Sequence, residues 1–144
     1  DNDLERIGDL AVNIAKRARK LCALPPFPVP REMRSIMEDT VGMLRDALDA
    51  FVSGDVARAH GVCVRDDTID ALHKRIAREM THQMEERSEA VGPGMLIWSA
   101  SKALERIADH ATNIAEDVVY MVDGEIIRHG RGALPVRESG GGAS

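Results

Sequence analysis

The chain has 144 residues, 44% of them apolar and 30% charged, and a net charge of -5. This is one ordinary domain's length with a globular composition, which excludes a disordered or collagen-like chain. The acidic balance argues against nucleic acid as a partner, because phosphate-backbone binding needs a basic surface. No run of 18 apolar residues is present to span a membrane.

The predicted elements are all helical. Aromatics are confined to Phe27, Phe51, Trp98 and Tyr120, which counts against an all-β fold. A first helix is expected from about Asp3 to Leu24, on a stripe of Leu4, Ile7, Ala11, Ile14, Ala18 and Leu21. Pro25, Pro26, Pro28 and Pro30 end it and make residues 25–30 a stiff linker. A second helix should run from about Arg31 to Val52, burying Met33, Ile36, Met37, Thr40, Leu44, Ala47, Leu48 and Phe51. Gly54 reads as its C-cap and Asp55 as the cap of the next. The third helix is expected from about Val56 to Arg87, with Val62, Ile69, Leu72, Ile76, Met80 and Met84 on one face. Gly92-Pro93-Gly94 reads as a turn. A fourth helix should run from about Met95 to Val122, burying Leu96, Ala100, Leu104, Ile107, Ala111, Ile114 and Val118, with Gly124 as C-cap. Residues 131–144, with three consecutive glycines, read as a flexible tail. Long helices joined by short connections make an antiparallel bundle.

Cys22 and Cys63 lie 41 positions apart, with no zinc or redox spacing, and read as small reduced hydrophobes. No secretory signal and no nucleophile–base arrangement is visible.

The sequence Leu4-Glu5-Arg6-Ile7-Gly8-Asp9-Leu10-Ala11-Val12-Asn13-Ile14-Ala15 returns, offset by 100, as Leu104-Glu105-Arg106-Ile107-Ala108-Asp109-His110-Ala111-Thr112-Asn113-Ile114-Ala115, with nine of twelve positions identical. A packing stripe explains the repeated Leu, Ile and Ala. It does not require Glu, Arg, Asp and Asn to return, so the repeat points to duplicated polar chemistry. The second copy follows two helices and the first follows none. The chain therefore reads as one three-helix unit plus the last helix of another, with the two preceding helices absent. The first helix is expected to pack on the second bundle or on a symmetry mate.

Glu5 and Asp9, Glu105 and Asp109, and Asp66 and Asp70 are each spaced i, i+4, which puts both carboxylates of a pair on one helix face. Like charges at that spacing repel unless a cation lies between them. Oxygen ligands suit magnesium, manganese or iron. Asn13 and Asn113 extend the two repeated ridges by a turn. A solvated polar face explains any one pair alone. Since Glu105 and Asp109 lie away from the apolar stripe, a metal cluster would sit on the bundle surface between two helices. Glu79-Met80-Thr81-His82 matches a di-iron pattern, but it occurs once and His82 points away from the apolar face. His73 reads as a core-edge histidine. Arg6 and Arg106 most simply offset neighbouring carboxylates, with anion binding as the alternative.

The segment 104–116, its copy at 4–15, Asp66-Asp67-Thr68-Ile69-Asp70 and the stretch from Val122 to His129 resemble the signatures of the PhoU family. The resemblance runs from about residue 3 to 130. It implies two tandem three-helix bundles: residues 1–24 as the last helix of a truncated first repeat, and residues 31–130 as the second repeat. It also implies metal ligation by Glu5, Asp9, Asp66, Asp70, Glu105 and Asp109, with Asn13 and Asn113 beside them, and, since the first bundle's other acidic motif is absent, a complete cluster only on the second bundle. Iron, zinc, manganese and magnesium all stay open as the metal. The role implied is a cytoplasmic, non-enzymatic regulator, peripheral to the membrane and homodimeric. It would act between phosphate transporter subunits and a sensor histidine kinase, keeping the phosphate-starvation response off. Two alternatives stand beside it: an accessory domain of a membrane phosphate transporter, and a carboxylate-bridged metal enzyme.

Overall fold

The computed structural model describes residues 2–133. They form four α-helices, α1 (Asn2–Cys22), α2 (Glu32–Ser53), α3 (Val56–Glu86) and α4 (Val91–Ala133), with a single 3-10 turn at Ser88–Ala90. Among the described residues there is no strand. No helix among them is long and apolar enough to cross a membrane.

Helices α2, α3 and α4 pack on one another as a three-helix bundle, and α1 lies against α4 and no other helix. The expectation that the first helix packs on the second bundle is thereby met. It buries only Ile7, while Leu10, Ile14 and Leu21 are half-buried against the core. The other half of its stripe, Leu4, Ala11 and Ala18, stays exposed because no second helix among the described residues flanks that side.

The turn between α2 and α3 follows its local chemistry. Gly54 adopts φ 68°, the left-handed conformation that ends α2, and its N–H reaches the Ala50 carbonyl. Asp55 then caps α3, its carboxylate accepting from the Arg58 N–H at 3.0 Å. Arg58 and Arg65 of α3 both reach Asp46 of α2, at 3.1 and 3.0 Å, and tie the two helices across the surface.

Three expectations are corrected. The chain turns at residues 87–90, and Gly92-Pro93-Gly94 lies inside the first turn of α4. Proline costs little there, because its missing N–H would have no helical partner. Gly94 serves close packing: a Cβ on it would stand 2.9 Å from Met84 Cγ. Gly124 does not cap α4, which passes through it to Ala133. A helix tolerates one interior glycine at a cost of about 1 kcal/mol. The tail expected from residue 131 thus begins inside α4, and residues 134–144 lie outside the described residues. On α2 the buried stripe is Ile36, Thr40, Met43, Ala47 and Ala50. Met37 and Phe51, expected in the core, are 45% and 53% exposed because they lie at the edge of that stripe.

The contrast is testable by chemical denaturation. Ile36→Ala removes a fully buried side chain and should cost about 2–5 kcal/mol. Met37→Ala, its neighbour at the rim, should cost about 1 kcal/mol or less.

Candidate metal centre

Helices α3 and α4 form the most extensive pair in the bundle, and their acidic ridges meet at its surface. The i, i+4 spacing stacks Asp66 over Asp70 on α3, and α4 brings Asp109 across from them. Asp66, Asp70 and Asp109 each place a carboxylate oxygen within 4.8 Å of the others. Among the described residues no other group of three acidic, histidine or cysteine ligands converges in this way.

Electrostatics record the crowding. Asp109 is raised from the usual 3.8 to about 6, by desolvation first and then by the charges of Asp66, Asp70 and Glu105 and a hydrogen bond to Asp66. Asp70 is raised too, by desolvation and then by Asp66, Glu105 and Asp67, with Lys74 opposing. Asp66 Oδ1 is shielded from solvent and has no hydrogen-bond partner. A shielded anionic oxygen without a donor is costly unless something positive faces it. The residues therefore fit a metal ion: three convergent oxygens, mutual repulsion and one orphaned acceptor.

The remaining candidates lie elsewhere. Glu105 sits one turn before Asp109, close enough to raise its pKa, but its Oε1 is held by Lys102 Nζ at 2.6 Å. Glu5 and Asp9 are exposed on α1 and meet no third ligand among the described residues. The Asn113 side-chain amide donates to Asp3 Oδ1 at 3.4 Å, towards α1 rather than towards the three carboxylates. The di-iron decoy is a surface feature: His82 is 67% exposed and pairs with Glu86 at 3.3 Å.

His73 is buried, as its place near the α3 stripe suggested. Its Nδ1 lies 2.7 Å from Ser101 Oγ, and its ring meets Trp98 at 5.8 Å and 60°. Burial lowers its pKa, the Glu105 charge only partly opposing, so the ring is neutral at pH 7. A second contact had no signal in the sequence, because its partners are 107 residues apart: His110 Nδ1 lies 2.7 Å from Asp3 Oδ1. A carboxylate only accepts, so the ring donates. Beyond the acidic group, a cavity of about 660 Å³ opens between α3 and α4, lined by His60, Cys63, Glu116 and Tyr120 among others and by none of the three carboxylates. Desolvation, Glu116 and Asp66 raise the Cys63 thiol, which disfavours its thiolate.

A family model described as the PhoU domain matches residues 33–118. The chain is 43% identical over 128 residues to a phosphate-specific transport system accessory protein PhoU homolog of Pseudomonas putida, covering 88% of this chain and 50% of that protein. It is 37% identical over 123 residues to the homolog from Clostridium acetobutylicum, covering 85% and 56%. The crystal structure of PhoU from Pseudomonas aeruginosa superposes with a TM-score of 0.78 at 42% identity, covering 85% of this chain and 59% of that one. The phosphate transport system regulatory protein PhoU from Streptococcus pneumoniae gives 0.76 at 28% identity, covering 85% and 58%. The chain spans a little over half the length of these relatives.

The raised Asp109 pKa gives the metal-free protein a distinctive pH response. Between the unfolded value and about 6 the folded state binds the extra proton, so ionised Asp109 destabilises the fold fully above pH 6 and not below about 4. Asp109→Asn should raise the metal-free melting temperature at pH 7 and have little effect at pH 4. Parallel melting curves for the two proteins across that range would contradict the assignment.

Proposed function

The chain belongs to the PhoU family, and on that premise we propose that it is a metal-binding regulator of phosphate transport and phosphate-starvation signalling. The observation that carries the metal reading is the convergence of Asp66, Asp70 and Asp109 on one face of α3 and α4. Those three carboxylates are its ligands, and Glu105 is the nearest reserve, released if Lys102 swings away. The ion is iron, zinc, manganese or magnesium, since an oxygen-rich set accepts each of them. It supplies positive charge to the acidic surface. The chain's own residues do the rest: α3 and α4 hold the carboxylates at fixed spacing, and the neighbouring exposed helix faces are free to meet a partner.

The regulatory part rests on the family. Relatives carry the description of accessory or regulatory proteins of phosphate-specific transport. By that likeness the protein works in the cytoplasm, as a homodimer without enzymatic activity. It links phosphate transporter subunits to a sensor histidine kinase and keeps the starvation response off when phosphate is plentiful. No nucleophile–base pair lies in the acidic group, which accords with an adaptor.

Metal analysis of the purified chain tests the site. Asp66→Asn, Asp70→Asn and Asp109→Asn should each lower bound metal at least about tenfold, because each removes a direct ligand. Asp9→Asn should leave it unchanged, and equal metal content in all four variants would refute the assignment. For the cellular role, cells lacking the gene should express phosphate-starvation genes in high phosphate. Restoration of repression by the wild type but not by Asp66→Asn/Asp109→Asn would join the two halves of the reading.

A further inference from the structure

A second polar site lies on the opposite flank of α4, against α1. A pocket of about 200 Å³ is lined there by Asn13 and Arg17 of α1 and by Ser99, Lys102, Ala103 and Arg106 of α4, with Leu10 and Trp98 completing the wall. No Asp or Glu is among its lining residues, although the protein has 24 acidic residues against 19 Lys and Arg. Three cations converge on it. Lys102 shares its charge with Glu105 at 2.6 Å, and Arg17 gives one N–H to the Asn13 carbonyl at 3.2 Å. Arg106 has no ion pair or side-chain hydrogen bond among the described residues, in a place where guanidinium and carboxylate would readily pair.

The internal repeat supplies an independent observation. Helices α1 and α4 carry its two copies and lie against each other, so residues at one end of their seam can be compared with those 100 positions away at the other. At one end Asp3 accepts from His110 and Asn113, at 2.7 and 3.4 Å. The counterparts of Asp3, His110 and Asn113 are Ala103, Leu10 and Asn13, and all three line the pocket. At that end, then, the protein's own carboxylate occupies the place between the helices. At the other end the counterpart of that carboxylate is the Ala103 methyl group, the Asn13 side-chain amide has no hydrogen bond among the described residues, and Arg17, Lys102 and Arg106 line the pocket.

We propose that this pocket binds a small oxyanion, of the class of inorganic phosphate or the terminal phosphoryl group of a phosphate monoester. Its volume lies below the roughly 300–1,000 Å³ of sites for larger ligands. Guanidinium, ammonium and amide N–H groups are the donors such oxygens take. The inference does not depend on the metal reading, since the two sites face different partners of α4.

Trp98 is the single tryptophan and lines the pocket, so its fluorescence reports occupancy directly. The full metal-free chain is titrated with sodium phosphate, with glycerol phosphate, and with sodium chloride at matched ionic strength. A saturable change with a phosphate species and none with chloride is expected. Arg106→Ala, at an exposed position, should weaken binding about tenfold or more, the loss of one charge-assisted contact. Ala103→Asp restores the carboxylate of the twin site and should abolish binding. Glu38→Gln, exposed on α2 and away from both seams, should leave it unchanged. Tighter binding of phosphate itself assigns the site to the free ion, and tighter binding of glycerol phosphate assigns it to a phosphoryl group. The proposal is overturned if the wild type gives no saturable response, if Arg106→Ala binds as well as the wild type, or if Glu38→Gln weakens binding as much as Arg106→Ala does.

Discussion

Three helices bury their apolar faces against a single one. Helix α4 can serve all of them because its buried positions fall on more than one side, with Ile97, Leu104, Ile107, Ile114 and Val118 supplying bulk. Ala100, Ala103, Ala108, Ala111 and Ala115 are small enough to let neighbouring backbones approach. Both polar sites follow from that arrangement. A helix packed on two flanks presents two seams to solvent, and side chains at each seam meet residues of a different neighbour.

The seams have opposite chemistry for a local reason. The repeated motif places Glu, Arg, Asp and Asn at fixed positions, and the rotation of about 100° per residue around the helix axis sorts them onto different flanks. Asp109 falls on the α3 side, where Asp66 and Asp70 already stand, and concentrated negative charge results. Arg106 falls on the α1 side, beside Lys102 and Arg17, and concentrated positive charge results. Glu105 lies between them, raising the Asp109 pKa while holding Lys102, and so couples the two seams electrostatically. The first copy of the motif has the same residues on α1. Its Glu5 and Asp9 point to a side that α4 does not cover, and they gather no third carboxylate among the described residues.

Much of this was legible in the one-dimensional pattern, and the misses have common causes. The Gly54–Asp55 junction could be read because each residue acts on its own backbone within a few positions. Stripe spacing located α1, α2 and α3 within a few residues and the start of α4 within four, but ended α4 eleven residues early. It misplaced Met37 and Phe51 because a stripe gives a direction, while burial depends on where the neighbouring helix axis lies. Gly92, Pro93 and Gly94 misled because the same residues that favour a turn also suit a helix's first turn and a close crossing at Met84. The i, i+4 carboxylates could be paired within a helix, but not assigned to a shared centre.

The sequence by itself determined the all-helical class, the duplicated motif and the family, because periodicity and short motifs are properties of neighbouring residues. It also named Asp66, Asp70 and Asp109 as candidates. Only the tertiary structure decided that these three converge while Glu5, Asp9 and Asn113 stand apart, and that Asp3 meets His110 across 107 residues of chain. Convergence depends on which flank of one helix faces which other helix, and that is fixed by packing of the whole bundle rather than by any local stretch.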